Sequence, residues 1–353
     1  MPPQCRLTHL LLLAAFAAPT CYSQLLAGPV TLRETARIPV PSLRLESAGF
    51  RTVAGDKSFY VQTDHGKYTA VDLQGNTHLA FDVAMIPPND SVSPTDIFLA
   101  DLAEVPRGGV LALVAWSPTP EKTRFGIECV DEDRDYAPIV WLDVDFIPTH
   151  AAEFSIAGDF LVSGYSNDGS IHVALFDHRG NLSIAQVLKE HDAMGGAAGK
   201  QTSEQKNEVI DRAAREAGLM QVVSGNDDSI YVYNPSWGRR VANVRSGGKV
   251  TEIKLASPRS ENTLPMELFA SNSFLCLTEA ELDPGRNSNA PTELTKFLIS
   301  SYDRFSGALI ASYQIRDSFG ANPVAASPRE FDFLDAKVIS NGTVSFSIIR
   351  AQP

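Results

Sequence analysis

The sequence predicts an all-β protein built as a ring of six four-stranded antiparallel units. Three observations predict it. One order of apolar strands and Gly- or Asn-bearing turns recurs along the chain. The last copy lacks a strand while the N-terminal part carries one too many. The inner strands of the copies are apolar on both faces. The pattern is plainest in SGYSNDGSIHVALFDHRGNLSIAQVL (163–188), which reads as three strands joined by two tight turns.

Ahead of the first copy, Arg6 gives a positive flank, Leu10 to Ala18 is almost wholly apolar, Pro19 breaks a helix, and small residues precede Gln24. Residues 1–23 are therefore expected to be a signal peptide cut after Ser23, with a cut after Ala17 as the alternative. The apolar run is well short of the roughly 20 residues that span a bilayer. A lipid anchor at Cys21 is disfavoured, because Ala18-Pro19-Thr20 is a poor box for it. The expected location is secreted or periplasmic, with no transmembrane segment in the mature chain. Residues 24–353 then form one domain. Loss of Arg6 takes its formal charge from -12 to -13.

VTLRETARIPV (30–40) is a strand with no unit of its own. FYVQTDHGKYTAVDLQGNTHLAFDV (59–83) is the first full copy, and VLALVAWSPTPEKTRFGIECVDEDRDYAPIVWLDV (110–144) a looser second. The third is the stretch already quoted. SIYVYNPSWGRRVANVRSGGKVTEIKL (229–255) and the longer 273–315 follow, and DAKVISNGTVSFSIIRA (335–351) stops after two strands. The copies recur at roughly 50-residue spacing. Segments such as LRLESAGF (43–50), EFSIAGDF (153–160), GLMQVVSG (218–225) and MELFASNS (266–273) supply a first strand, A, ahead of strands B, C and D. The surplus N-terminal strand would complete the last unit and leave no open sheet edge. Inner strands such as FLVSG and VLALVAW lack alternation because each sheet is covered on both sides.

On these repeats the chain resembles the six-bladed β-propeller superfamily over nearly all of its mature length. Individual units such as SIYVYNPSWGRRVANV are similar to NHL- or YVTN-type blades, without matching a family of settled activity. A sandwich needs no repeated unit and a parallel β-helix uses shorter repeats. Seven blades would require strands hidden in 189–217, whose composition is helical instead. There EHDAMGGAAGK is followed by TSEQKNEVIDRAAREAG, with Thr202 as N-cap, Gln205 three residues on and Gly218 as stop, predicting a helix over 203–217 between blades three and four.

In such blades the B–C and D–A connections share one face of the disc. The tight turns (AGDK, LQGN, HRGN, SGGK, RFSG) fall on the other face. The long connections 85–95, 117–124, 189–217, 278–294 and 316–330 fall mostly on the first. Long connections without a core of their own carry function or disorder. The long-loop face is thus the expected binding face for a protein, peptide or glycan. Trp116, Trp237 and Arg239 are its candidate binding residues, set against the plainer reading that Trp116 and Trp141 pack between blades and Trp237 caps a loop.

An acidic chain whose sole adjacent basic pair is Arg239-Arg240 excludes a phosphate-neutralising surface, so nucleic acid is no expected partner. Gly164-Tyr165-Ser166-Asn167-Asp168 fails as a nucleophile elbow, GGAAGKQT fails as a phosphate loop, and the seven histidines form no metal pair. Asp131, Asp133 and Asp135 alternate as calcium ligands do but lack the Gly and distal Glu of a calcium loop; a solvated acidic loop is favoured. SNDGSIHV keeps Ser166 and Asp168 of a sialidase-like Asp-box and has Val173 at its closing aromatic position. Cys129 and Cys276 are expected as free buried thiols, a disulfide between them being the alternative. No cofactor and no metal is expected, and the chain reads as a monomer. A secreted hydrolase or lyase acting on a sugar, lactone or peptide at the channel mouth is the alternative function, since propellers gather catalytic acids from separate blades.

Overall fold

A computed structural model describes residues 30–45, 52–54, 58–64, 66–82, 97–106, 109–119, 122–130, 139–189, 203–257, 263–271, 273–283, 293–315, 323–340 and 342–353. The expected signal peptide, the Asp131–Asp135 loop and Thr202 lie outside them. The chain is a six-bladed β-propeller. It begins with β1 (Val30–Thr31) and β2 (Arg33–Arg44). Blade 1 holds β3 (Thr52–Ala54), β4 (Ser58–Asp64), β5 (Lys67–Asp72) and β6 (Thr77–Asp82). Blade 2 holds β7 (Ile97–Glu104), β8 (Val110–Thr119), β9 (Lys122–Val130) and β10 (Val140–Leu142). Blade 3 holds β11 (Ile147–Glu153), β12 (Phe160–Tyr165), β13 (Ile171–Phe176) and β14 (Leu182–Lys189). Helix α1 (Ser203–Gly218) follows, and then blade 4 with β15 (Gln221–Ser224), β16 (Ser229–Tyr233), β17 (Arg240–Arg245) and β18 (Val250–Lys254). Blade 5 holds β19 (Thr263–Ala270), β20 (Phe274–Asp283), β21 (Glu293–Asp303) and β22 (Leu309–Ile315). Blade 6 holds β23 (Val324–Ser327), β24 (Glu330–Ser340), β25 (Thr343–Gln352) and, as its outer strand, β2.

The N-terminal strand therefore closes the ring, pairing antiparallel with β25 from Arg33↔Gln352 to Arg44↔Thr343. Residues 30–32 do something the sequence did not announce. β1 lies parallel to β22, so the chain clips onto blade 5 before crossing to blade 6. As the outermost strand of its blade, β2 is mostly exposed, and Pro39, Pro41 and its charges blunt that edge against further pairing.

Six apolar clusters fill the six blade interfaces, and strand alternation sorts residues between them. In β8, Val110, Ala112 and Val114 face Tyr60, Tyr68 and Phe81 of blade 1. Leu111 and Leu113 face Ala151, Val162 and Phe176 of blade 3. In β16, Ile230 and Val232 face blade 3 while Tyr231 and Tyr233 face blade 5. The last interface, blade 6 on blade 1, joins Val40, Val344, Phe346 and Ile348 to Phe59, Val61 and Val71. Burying such side chains stabilises by about 1.5–3 kcal/mol each, which is why the strands read as continuous apolar runs.

The short turns repeat in atomic detail. Asp72 Oδ1 accepts from the backbone N–H of Gln74 and Asn76, and Asp177 Oδ1 does the same with Arg179 and Asn181. Gly75 in the first of these turns has φ +87, and a Cβ there would lie 2.7 Å from the Pro39 carbonyl oxygen of β2. Only glycine fits, because the turn of each such blade abuts the outer strand of the blade before it. Gly307 repeats the contact against the Lys254 carbonyl.

Four expectations are corrected. Strand A of blade 1 is Thr52–Ala54, not 43–50, because Leu43 and Arg44 pair with β25. Strand A of blade 3 is Ile147–Glu153, and 155–157 form the turn after it. The 117–124 connection is mostly strand, with Thr119 paired to Lys122 and the Ser117 and Thr123 hydroxyls 2.9 Å apart across it. The 316–330 connection contains β23, the missing strand A of blade 6. Part of the apparent loop asymmetry is thus hairpin extension. The remaining centres, 83–96, 190–202, 284–292 and 316–322, lie outside the described residues.

Glu128 on β9 is fully buried opposite Ala112, with both carboxylate oxygens unpartnered among the described residues. Burial pushes its carboxyl up to about 8 from the ordinary 4.5. The folded state then holds a proton that the unfolded state has released across that window. Stability is full below pH 4.5 and falls as pH rises towards 8, by up to about 1.4 kcal/mol per pH unit. Urea unfolding at intervals from pH 5 to 8 should show that slope in the wild type and a flatter one in Glu128→Gln.

Candidate functional site

The innermost strands β7, β11, β15, β19 and β23 neighbour one another in that order around the central channel. A cavity of about 370 Å3 occupies it, from Leu219 at the long-loop end to Pro106 and Asn226 near the A–B turns. Its ionisable lining residues are Asp101, Glu104, His150 and Glu267. Three of them sit directly beyond β-bulges. The register shifts between Leu99 and Asp101, between Pro148 and His150, and between Pro265 and Glu267. A bulge turns the following side chain off the ladder's normal alternation, which is how inner strands aim polar groups at a channel otherwise walled by Leu and Val.

The aimed groups join neighbouring blades. Asp101 Oδ2 lies 3.2 Å from His150 Nδ1 and accepts from the Ala151 N–H at 3.3 Å. His150 Nε2 lies 3.1 Å from the carbonyl oxygen of Ala217, in the last turn of α1. Both ring nitrogens thus face acceptors. Held at both nitrogens, the ring is fixed between blade 2 and the last turn of α1. Farther round, Gln221 of blade 4 donates to the Met266 carbonyl at 3.2 Å and accepts from the Leu268 N–H, bridging the bulge of blade 5. Blades 2 to 5 are linked by side chains that reach the next inner strand.

Glu267 differs from the other three. Its carboxyl has no partner among the described residues, and burial alone pushes it up to about 6. Asp101 and His150 satisfy each other, whereas Glu267 is desolvated and free to take a proton or a ligand. Among the described residues no group of His, Cys, Asp and Glu is placed to hold a metal ion, and no helix is long and apolar enough to cross a membrane.

Helix α1 is built into this end of the channel. Ala213 and Ala217 are fully buried against blades 3 and 4. Glu216 accepts from Trp237 Nε1 at 2.8 Å, and its carbonyl takes the Asn234 side-chain N–H at 2.6 Å. The helix is thus part of the core.

The three sequence-derived candidates are not brought together. Trp116 on β8 is half-buried, 6.1 Å from Trp141, whose ring carries the Arg124 guanidinium 4.6 Å from its centre. Trp237 lies in the turn Pro235–Trp237 and lines a second cavity of about 570 Å3 with Leu188, Val250 and Glu252. Arg239 is sewn between blades 4 and 5: it pairs with buried Glu279 and donates to the Tyr302 hydroxyl at 3.0 Å and Thr263 Oγ1 at 2.8 Å. Cys129 and Cys276 are free thiols, and burial pushes both up to about 12.

Sequence reasoning missed Asp101, His150 and Glu267, although the inner strands carry a signal. IFLADLA, IPTHAAE and TLPMELFA each place an ionisable residue near the centre of a largely apolar strand, and IPTHAAE carries a second, Glu153, at its end. Two outcomes follow from the geometry. A carboxyl 13C NMR titration should place the Glu267 midpoint near pH 6. Gln221→Leu should lower stability by about 1–3 kcal/mol in urea unfolding, since it strips partners from two backbone groups of the bulge.

No family model matches the chain, and neither does any curated protein. Solved structures resemble the chain at low identity. A protein of unknown function from Dyadobacter fermentans is 10% identical with a TM-score of 0.49, over 91% of this chain and 99% of that one. A gluconolactonase from Xanthomonas campestris is 10% identical with a TM-score of 0.44, over 89% and 100%. A putative TolB from Agrobacterium tumefaciens is 10% identical with a TM-score of 0.40, over 92% and 99%. These likenesses carry no argument about fold or activity.

Proposed function

We propose that this chain is an exported binding propeller that captures a protein, peptide or glycan on its long-loop face, at the mouth of the channel. The observation that carries this reading is an apolar collar at the starts of the inner strands. Phe98 and Leu219 are 61% and 58% exposed, and Ile147, Leu264 and Met266, at or near the starts of the other inner strands, are exposed as well. Leu219 and Met266 line the channel cavity, and exposed apolar side chains on one face are costly to leave in water and mark binding surfaces. The groups below the collar support binding over catalysis, because Asp101 and His150 are occupied by each other, by Ala151 and by Ala217.

A hydrolase or lyase acting on a sugar, lactone or peptide is the second reading, favoured by the raised carboxyl of Glu267. That chemistry asks for a second group in reach to activate water or to attack.

The test leaves α1 in place, since its alanines are core. Phe98→Asp and Leu219→Asp alter exposed positions and should keep stability within about 0.5 kcal/mol of the wild type. On a peptide and glycan array they should abolish the binding that the wild type shows. Wild-type binding that survives both substitutions would overturn the reading. Turnover of a lactone or glycoside, lost in Glu267→Gln, would favour the second.

A further inference from the structure

Among the described residues that line the channel, the Glu267 carboxyl meets no counter-charge. Asp101, Glu104 and Glu267 line it, and among its described lining residues there is no Lys or Arg. His150 answers Asp101 at 3.2 Å. The Glu267 carboxyl has no hydrogen-bond or ionic partner among the described residues, although the bulge at Met266 turns it into the cavity. A desolvated carboxylate is relieved most by a cation entering beside it. Around it Met220, Val222, Met266 and Leu268 form apolar walls of the sort that cover an aliphatic stem. Among the described lining residues Phe269 is the one Phe, Tyr or Trp, and His150, Gln221 and Ser224 are each already hydrogen-bonded to a neighbouring acceptor. Such a site is poorly supplied for a polyhydroxyl ligand. At about 370 Å3 it lies at the low end of small-ligand pockets, roughly 300–1,000 Å3, so it admits a side chain and excludes a folded partner. A net charge of -12 on the whole chain draws cations towards it.

We propose that the channel receives a basic side chain, the ammonium of a Lys or the guanidinium of an Arg, from a peptide segment whose apolar neighbours rest on Leu219 and Met266. This rests on the binding reading above and names the chemistry of its ligand. Glu267 supplies the counter-charge, the apolar wall covers the stem, and the collar covers the flanking residues. The ligand's charge, rather than its shape alone, selects it.

Isothermal titration calorimetry with the probes Ac-Leu-Arg-Leu-NH2, Ac-Leu-Gln-Leu-NH2 and Ac-Leu-Glu-Leu-NH2, and with n-butylguanidinium, tests this. The expected result is binding of the Arg peptide, at least about tenfold weaker binding of the Gln peptide, worth about 1.4 kcal/mol, and none of the Glu peptide. Glu267→Gln should remove that preference while leaving the Gln peptide unchanged. Glu267→Asp, which keeps the charge on a shorter stem, should retain part of it and guards against a mere folding defect. Equal affinity for the Arg and Gln peptides, or an Arg preference that survives in Glu267→Gln, would overturn the proposal. Butylguanidinium binding as tightly as the Arg peptide would overturn the peptide as its source. If the neutral peptide or a glycan binds equally well and is lost in Leu219→Asp, the face binds ligands but not through charge. If no probe and no array ligand binds, the binding reading falls as well.

Discussion

The pairing of β2 with β25 is the constraint on which the other features rest. It joins residues at the two ends of the described chain, so its loop-closure entropy is paid across nearly the whole length, and folding of the ring is dominated by non-local contacts. What offsets that cost is distributed on both sides of the strand. Leu32, just before β2, is fully buried between blades 5 and 6, and Val40, within it, is buried between blades 6 and 1. Gly75 lets the first blade's turn seat against Pro39 without a side chain in the way. One segment thus serves both of the last two interfaces, and without it β25 would offer an open edge.

Closure also shapes the channel. In a ring the inner strands cannot spread, and the side chains that link them act as spacers. Asp101 spans blades 2 and 3, His150 reaches the end of α1, and Gln221 holds the bulge of blade 5. Each of these groups gives up its own reactivity to fix geometry. Glu267 has no such duty. It lies on the inner strand after that of Gln221 and lines the cavity, its carboxyl without a partner among the described residues. The Arg239–Glu279 pair shows the opposite outcome one layer out, where a fully buried carboxylate is spent on holding two blades together.

The sequence made the blades legible because their turns are chemical signatures. Asp72 to Asn76 and Asp177 to Asn181 use the same residues for the same bonds, and the apolar runs between them follow from coverage on both faces. Inner strands were harder to place, since a short strand such as Val324–Ser327 lacks both alternation and a turn signature. The site was nearly illegible. Asp101 and His150 are 49 residues apart and meet only because their blades are adjacent. The bulges that aim them have no residue pattern of their own. Tryptophans on the long-loop face drew attention for their size, yet Trp237 is engaged with Glu216 and Trp116 packs beside Trp141. The helix was read correctly as an insertion between blades three and four, but its two buried alanines make it core rather than decoration.

The most direct measurement takes the closing strand away and returns it. A chain begun at residue 46 is unfolded by urea alone and with a synthetic peptide spanning residues 30–45. If β2 closes the ring, the shortened chain loses its cooperative transition, and one equivalent of peptide restores it. A shortened chain that unfolds at the wild-type midpoint without the peptide would contradict the account.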